Sequence, residues 1–156
     1  MSDINNFFKF LKDKEGKEPP FAWKLIYDQE SLTPNDLTFK GNLNLNNTKI
    51  SSIPEGLEIS GFLHLENTNI SSFPDNLRIG RDLSLIGCPI KELPNNLHIG
   101  SSLYIQHTNI NSIPNNLKIG GNLYIFNTPV AKKYTKDEIK RIIEDKGGFV
   151  KGNIYV

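Results

Sequence analysis

The amino-acid sequence predicts an α/β repeat protein, a solenoid of about five 20-residue β-containing coils with helical caps at both ends. Two observations predict the coils: apolar residues recur at a fixed 20-residue spacing, and proline or glycine separates them. A third observation, an amphipathic segment with start and stop signals near the end of the chain, predicts a cap. The register is clearest in one leucine column: Leu43, Leu63, Leu83, Leu103 and Leu123.

One unit reads L-x-L-x-x-T-x-I-x-x-I-P-x-x-L-x-I-x-G-x from Leu43 onward, and such units cover residues 34–130. Its alternating pairs, Leu43 with Leu45 and Leu57 with Ile59, predict two short strands that turn every second side chain inward. Proline cannot donate a hydrogen bond to a strand ladder, so Pro54 and its equivalents predict a turn. Glycines such as Gly100 mark the second corner, and each unit therefore forms one coil.

A column of small side chains accounts for the single cysteine of the chain. Cys88 occupies the position at which the neighbouring units have Thr68 and Thr108. Stacked inward, these hydroxyl and thiol groups are expected to pair with backbone groups at the corner that would otherwise be buried without a partner. Burial makes a thiol inert, so Cys88 is interpreted as structural and not catalytic.

Residues 131–156 are predicted to form the C-terminal cap, a helix over 135–146 followed by a terminal strand or hairpin. Thr135 and Glu138 make a capping box, and Ile139 and Ile143 belong to an apolar stripe at helical spacing. The cap has a physical purpose, because the end of a solenoid otherwise exposes apolar side chains and unpaired strand edges.

Residues 1–33 are predicted to form the N-terminal cap, a short amphipathic helix followed by an apolar cluster around Trp23. The apolar side of the helix is assigned to Phe7, Phe8, Phe10 and Leu11. Lysines in both caps raise the alternative of a membrane or nucleic-acid surface, but acidic neighbours dilute them and the net charge is only +1. We therefore expect neither nucleic acid nor a membrane as a partner.

The cellular compartment is predicted from two features of the sequence. One cysteine cannot form an internal disulfide, and the start MSDINNFFKF lacks the apolar run of a signal peptide. Both features predict a cytoplasmic protein.

The unit resembles a short leucine-rich repeat, whose pattern L-x-L-x-x-[N/C]-x-L matches the stretch from Leu83 to Ile90. The segment I-P-x-x-L is similar to the 20-residue repeats of bacterial leucine-rich-repeat proteins and of small bacteriophage repeat proteins. The resemblance implies a curved right-handed solenoid with a parallel sheet used for protein recognition. This sequence departs from that family at Leu57 and Ile59, where many members have a helix, and a second sheet there would flatten the stack.

The sequence predicts no catalytic, cofactor or metal site. The repeat places His64 and His107 two units apart and His98 on the other strand of the unit, so the three imidazoles are not expected to converge on one ion. The sequence has no phosphate-binding or nucleophile motif. Glu66 and Asp82 lie on neighbouring units, but a flat sheet offers no cleft in which a carboxylate pair could work.

The residues that vary between units face outward and are free to specify a partner. On the main strand they include several aromatic residues, which are favoured as anchors of protein interfaces. The alternative is that these residues pack under the caps or only stabilise pairs across neighbouring strands. The predicted partner-binding residues are Tyr104, Tyr124, Phe126, Ile86, His107, His64 and Phe62.

Three functions remain open on the sequence alone. The leading hypothesis is a non-enzymatic module that binds another protein through the outward face of the main sheet, and the resemblance to phage proteins suggests an inhibitor of a host factor or defence protein. The alternative is a structural subunit that self-assembles through caps and edges. The third is an enzyme with a shallow site at Glu66 and Asp82. The sequence indicates neither the identity of the partner nor the oligomeric state.

Overall fold

The computed structural model describes residues 3–16 and 19–156, so residues 1, 2, 17 and 18 of the predicted N-terminal cap lie outside the described residues. Short strands dominate its centre, and helices flank them on both sides. The helices are α1 (Asp3–Glu15), α2 (Phe21–Tyr27), α3 (Pro129–Lys133) and α4 (Lys136–Asp145), with a 3₁₀ turn at Gln29–Ser31.

Twelve strands of two residues each alternate between two sheets in the described residues. Sheet A contains β1 (Thr38–Phe39), β3 (Glu58–Ile59), β5 (Arg78–Ile79), β7 (His98–Ile99), β9 (Lys118–Ile119) and β11 (Phe149–Val150). Sheet B contains β2 (Leu43–Asn44), β4 (Leu63–His64), β6 (Leu83–Ser84), β8 (Leu103–Tyr104), β10 (Leu123–Tyr124) and β12 (Ile154–Tyr155). We call a strand of sheet A and the following strand of sheet B one rung.

The chain is a parallel-sheet β-solenoid, because each strand pairs in parallel with its counterpart in the next rung. Successive rungs from Thr38 to Lys118 are 20 residues apart, so five rungs enclose four complete turns and not the expected five. The sixth rung begins 31 residues after Lys118, at Phe149, because α3 and α4 are inserted before it.

Both alternating pairs of the repeat form β-structure, which supports the flatter of the two predicted stacks. In the rungs between the two ends the inward side chains are buried. In the second rung, for example, Leu57 and Ile59 on the sheet A side, and Leu63 and Leu65 on the sheet B side, are exposed by 2% or less. Equivalent residues of neighbouring rungs form one continuous core. Burying each large side chain contributes about 1.5–3 kcal/mol, so a rung depends on its neighbours for stability.

The threonine column hydrogen-bonds the backbone as predicted. The Thr68 hydroxyl donates to the carbonyl oxygen of Leu65 at 2.8 Å, and Thr108 donates to Ile105 at 2.7 Å. The Cys88 thiol is buried and donates to the Leu65 carbonyl oxygen, one rung earlier, at 2.9 Å. Each polar group of this column therefore satisfies a buried carbonyl.

Two columns of residues in the left-handed backbone conformation, with positive φ, form turns between the strands. One column includes Asn67 and His107, with φ of 55° and 59°, and the other includes Asn96 and Asn116, with φ of 57° and 54°. Asparagine tolerates this conformation better than most residues. The amides also link rungs, since Asn116 Nδ2 donates to Asn96 Oδ1 at 3.0 Å.

The C-terminal segment adds a helix and a sixth rung. Helix α4 begins after Thr135, whose hydroxyl accepts from the Glu138 N–H, and the capping box is complete. Of the two predicted alternatives, a terminal strand or a hairpin, the structure has strands and no hairpin in this segment: β11 pairs with β9 in sheet A, and β12 pairs with β10 in sheet B. The terminal strands therefore do not pair with each other but extend both parallel sheets.

The N-terminal segment packs on the first rung through α2. Leu25 is fully buried in the common core, and the ring of Phe21 stacks on Phe39 with 4.6 Å between centroids. In α1, Phe8 contacts Trp23, but Phe7 and Phe10 are more than half exposed. The predicted helix is present, but these two of its apolar side chains do not pack on the core. Among the described residues, no helix is long and apolar enough to cross a membrane.

A candidate protein-binding face on sheet B

Three tyrosines form a stack along the outward face of sheet B, which we call the tyrosine ladder: Tyr104, Tyr124 and Tyr155. Ring centroids of successive members are 4.6 Å apart, and the planes deviate from parallel by 6° and 8°. This spacing is close to the distance of about 4.7–4.9 Å between neighbouring strands. The parallel register, which aligns each tyrosine with the next, therefore produces the stack.

The ladder is partly open to solvent. Tyr104 and Tyr124 are half-buried, whereas Tyr155 is 41% exposed. Burial raises the pKa of the Tyr104 hydroxyl above its ordinary value, and the charges of Asp82 and Tyr124 raise it further against a smaller opposing effect of a hydrogen bond with Ser102. Tyr104 is therefore held in its neutral form to a higher pH than in the unfolded chain.

We predict that Tyr104 makes the protein less stable in alkali. Because the folded-state pKa is raised, the stabilisation by neutral Tyr104 is fully present below about pH 10 and is lost as pH rises through the folded-state pKa. Urea unfolding of wild type and Tyr104→Phe, measured from about pH 8 to about pH 11, should show a shallower decline for the variant. Identical declines would contradict the assignment.

Four of the other five predicted partner-binding residues form two pairs along sheet B. Phe126 and His107 meet edge to face, with ring centroids 6.0 Å apart. They belong to the same rungs as Tyr124 and Tyr104. Phe62 and His64 stack at 4.3 Å, but the rung of Ser84 separates them from Tyr104.

Ile86 and His107 differ in their exposure and their backbone. Ile86 is half-buried, whereas His107 is exposed on a left-handed turn. His107 thus takes the left-handed position that Gly87 occupies in the preceding rung and Asn127 in the next.

Glu66 and Asp82 both have partners within the repeat. The Ser84 hydroxyl donates to Glu66 Oε1 at 2.7 Å, which explains why this outward serine is only 2% exposed. Asp82 Oδ1 accepts from the Ser102 N–H of the next rung at 2.8 Å. Within residues 3–16 and 19–156, no cluster of three or more histidine, cysteine or acidic side chains could hold a metal ion.

Sequence reasoning missed Tyr155, although the signal is present. The stretch Asn153-Ile154-Tyr155-Val156 has the pattern of Asn122-Leu123-Tyr124-Ile125, one rung earlier. The inserted helices break the 20-residue spacing between these two stretches, so a search at fixed period does not align them.

The outward column of sheet A differs from the tyrosine ladder in chemistry. It contains Glu58, Arg78, His98 and Lys118 in consecutive rungs. Glu58 and Arg78 form an exposed ion pair with 3.7 Å between charged atoms, which contributes little to stability. This column is a mixed-charge surface and provides matched controls for sheet B.

In comparisons with family models, curated proteins and solved structures, nothing matches this chain. The functional argument therefore depends on the residues themselves.

Proposed function

We propose that the chain is a non-enzymatic binding module that recognises another protein through the outward face of sheet B. The observation that carries the proposal is the tyrosine ladder, which concentrates three aromatic rings on consecutive rungs. Phe126 and His107 extend this surface at its side.

The physical chemistry of the ladder suits an interface. Tyrosine offers a large contact area at a small cost in side-chain entropy, and its hydroxyl can pair with polar groups. Stacking already restricts Tyr104 and Tyr124, so less rotamer freedom remains to be lost when a partner binds.

Membership of the leucine-rich-repeat family is part of the proposal and is supported by the repeat letters and by the parallel solenoid. In the same proposal the terminal helices act as caps, since Leu25 and Ile139 from these helices join the core. A cytoplasmic inhibitor of a host factor or defence protein, of bacterial or bacteriophage origin, is the role that the resemblance suggests.

The proposal is tested by capturing partners from a lysate of the source cell with two matched triple variants. Tyr104→Ser/Tyr124→Ser/Phe126→Ser alters the face of sheet B, and Arg78→Ser/His98→Ser/Lys118→Ser alters the same number of outward positions on sheet A. We expect a specific partner that wild type and the sheet A variant retain and the sheet B variant loses by at least about tenfold. Circular dichroism first confirms that both variants are folded.

Equal capture by both variants would contradict recognition through sheet B. A size that increases with protein concentration, without a captured partner, would instead favour the structural subunit that self-assembles through caps and edges.

A further inference from the structure

The outward face of sheet B carries two carboxylates and no basic side chain of lysine or arginine. This holds for the outward residue of each strand from β2 to β10 and for the residues two positions before and after it. The carboxylates are Glu66 and Asp82, on neighbouring rungs. The outward column of sheet A, in contrast, combines Glu58 with Arg78 and Lys118. The tyrosine ladder therefore borders an acidic region of the face.

Both carboxylates lie beside Ser84, and both are half-buried. Glu66 accepts from the Ser84 hydroxyl at 2.7 Å, and Asp82 precedes Ser84 by two positions, so it faces the same side of the strand. Among the described residues neither carboxylate makes an ion pair, not even Asp82 with the adjacent Arg81. Their donors are a neutral hydroxyl and the Ser102 N–H. A half-buried charge that no cation balances is costly, so this arrangement favours a cationic ligand.

The tyrosine ladder ends next to these carboxylates. Tyr104 stacks on Tyr124 on one side and lies opposite Ser84 on the other, because the strands pair in register. The charge of Asp82 acts on the Tyr104 hydroxyl, since after burial it is the next cause that raises the pKa of this group. An aromatic ring and two carboxylates therefore surround Ser84.

A further acceptor on the same rung as Tyr104 also lacks a donor. Gln106 follows Tyr104 by two positions, and its Oε1 atom is buried with no hydrogen-bond partner in the part of the chain that the structure describes. The polar side chains on this part of the face are therefore short of donors, in agreement with the absence of lysine and arginine.

We infer that the partner protein presents an arginine side chain, which binds beside Ser84 against Glu66, Asp82 and Tyr104. We call these three residues the arginine site. The inference rests on the proposed function and adds the chemistry of its partner. A guanidinium is planar and has five N–H donors, so it can lie against an aromatic ring while it donates to carboxylates. Lysine carries a point charge on a flexible stem and suits this arrangement less well.

Charge also decides between the possible occupants of the face. In a symmetric dimer through this face, Glu66 and Asp82 would approach the same residues of a second copy, with no lysine or arginine on the face to pair with them. Nucleic acid and anionic membranes carry phosphate groups, which the two carboxylates repel. A different protein with an arginine on its surface meets neither obstacle.

The probe is N-acetylarginine amide, which is titrated into the isotope-labelled full chain and followed by the nuclear magnetic resonance shifts of the backbone amides. N-acetylcitrulline amide has nearly the same shape without the charge and is the control ligand. Glu66→Gln and Asp82→Asn remove the two charges and nearly preserve side-chain volume. Glu58→Gln is the matched control, because Glu58 is an outward carboxylate on sheet A that pairs with Arg78.

We expect saturable shifts of the Ser84 and Tyr104 amides with the arginine probe. Binding should weaken by at least about threefold with either charge substitution, and by at least about tenfold with both together or with the citrulline probe. Glu58→Gln should change binding by less than about twofold. No saturable shift at these amides, equal binding of the two probes, or equal effects of Glu66→Gln and Glu58→Gln would overturn the inference.

The double variant Glu66→Gln/Asp82→Asn also separates this inference from the proposed function. In the lysate experiment it should lose the same partner as the sheet B triple variant. A partner that the double variant retains and the triple variant loses would leave the proposed function intact and remove the arginine site. Probe binding with no partner lost by the triple variant would do the reverse.

Sedimentation of wild type and the double variant tests for a second copy as the occupant. Contact between this face and a different surface of another copy would continue from molecule to molecule and produce larger assemblies. We expect the same sedimentation for both proteins. Wild-type assemblies that the double variant dissociates would overturn the inference, because the chain itself would then supply the cation.

Discussion

Replacing Leu85 with alanine should lower the free energy of unfolding by about 2–5 kcal/mol. Leu85 is fully buried in the middle of the solenoid, and rungs on both sides hold its surroundings in place. The cavity left by the substitution cannot close easily, because movement of one rung strains the next. Urea unfolding followed by far-ultraviolet circular dichroism measures the change.

Val156→Ala is the matched control for this prediction, since Val156 belongs to the same column but is 51% exposed. We expect a loss of less than about 0.5 kcal/mol there, as for most surface substitutions. Losses of similar size at the two positions would show that burial by neighbouring rungs is not the source of stability.

Replacing Gly100 with alanine should lower the free energy of unfolding by about 1–3 kcal/mol. A Cβ atom at this corner would overlap the carbonyl oxygen and carbon of Gly80 in the preceding rung. The corner cannot open freely, because the Gly100 N–H donates to the Ile79 carbonyl at 2.9 Å. Alanine also restricts the unfolded chain, but that gain of about 0.4–1 kcal/mol is smaller than the steric cost.

Ser101→Ala at the neighbouring corner position is the control, and its expected effect is below about 0.5 kcal/mol. Both variants are compared with wild type by chemical and thermal unfolding. A Gly100→Ala protein as stable as wild type would mean that the corner has room for a side chain.

The sequence predicts most of the repeat because one spacing repeats without a slip. Apolar side chains that return every 20 residues are buried together when the units stack in register, so the columns of Leu63 and Leu65 follow directly. The role of Cys88 also follows, because its thiol, like the threonine hydroxyls of the same column, donates to a backbone carbonyl oxygen. These features depend on local pattern and on stacking alone.

The features that could not be predicted depend on departures from the period. Thr128-Pro129-Val130 keeps the repeat letters, yet Thr128 also caps α3 by accepting from the Ala131 N–H, so the pattern conceals the start of a helix. The sixth rung follows these helices, so the 20-residue spacing does not place Tyr155 in the ladder, and the pairing of β12 with β10 does. His107 on a left-handed turn is equally invisible to a hydrophobic pattern.

The 20-residue register gives the chain an unusual tolerance to changes in length. Contacts between Asn96 and Asn116, or between Gly80 and Gly100, join positions one unit apart. Loss or duplication of a whole unit therefore brings equivalent residues together again, whereas a one-residue insertion within a strand turns its inward side chains to the outside. Since the tyrosines occupy the last three rungs, units gained or lost before them would alter the length of the solenoid and preserve the tyrosine ladder.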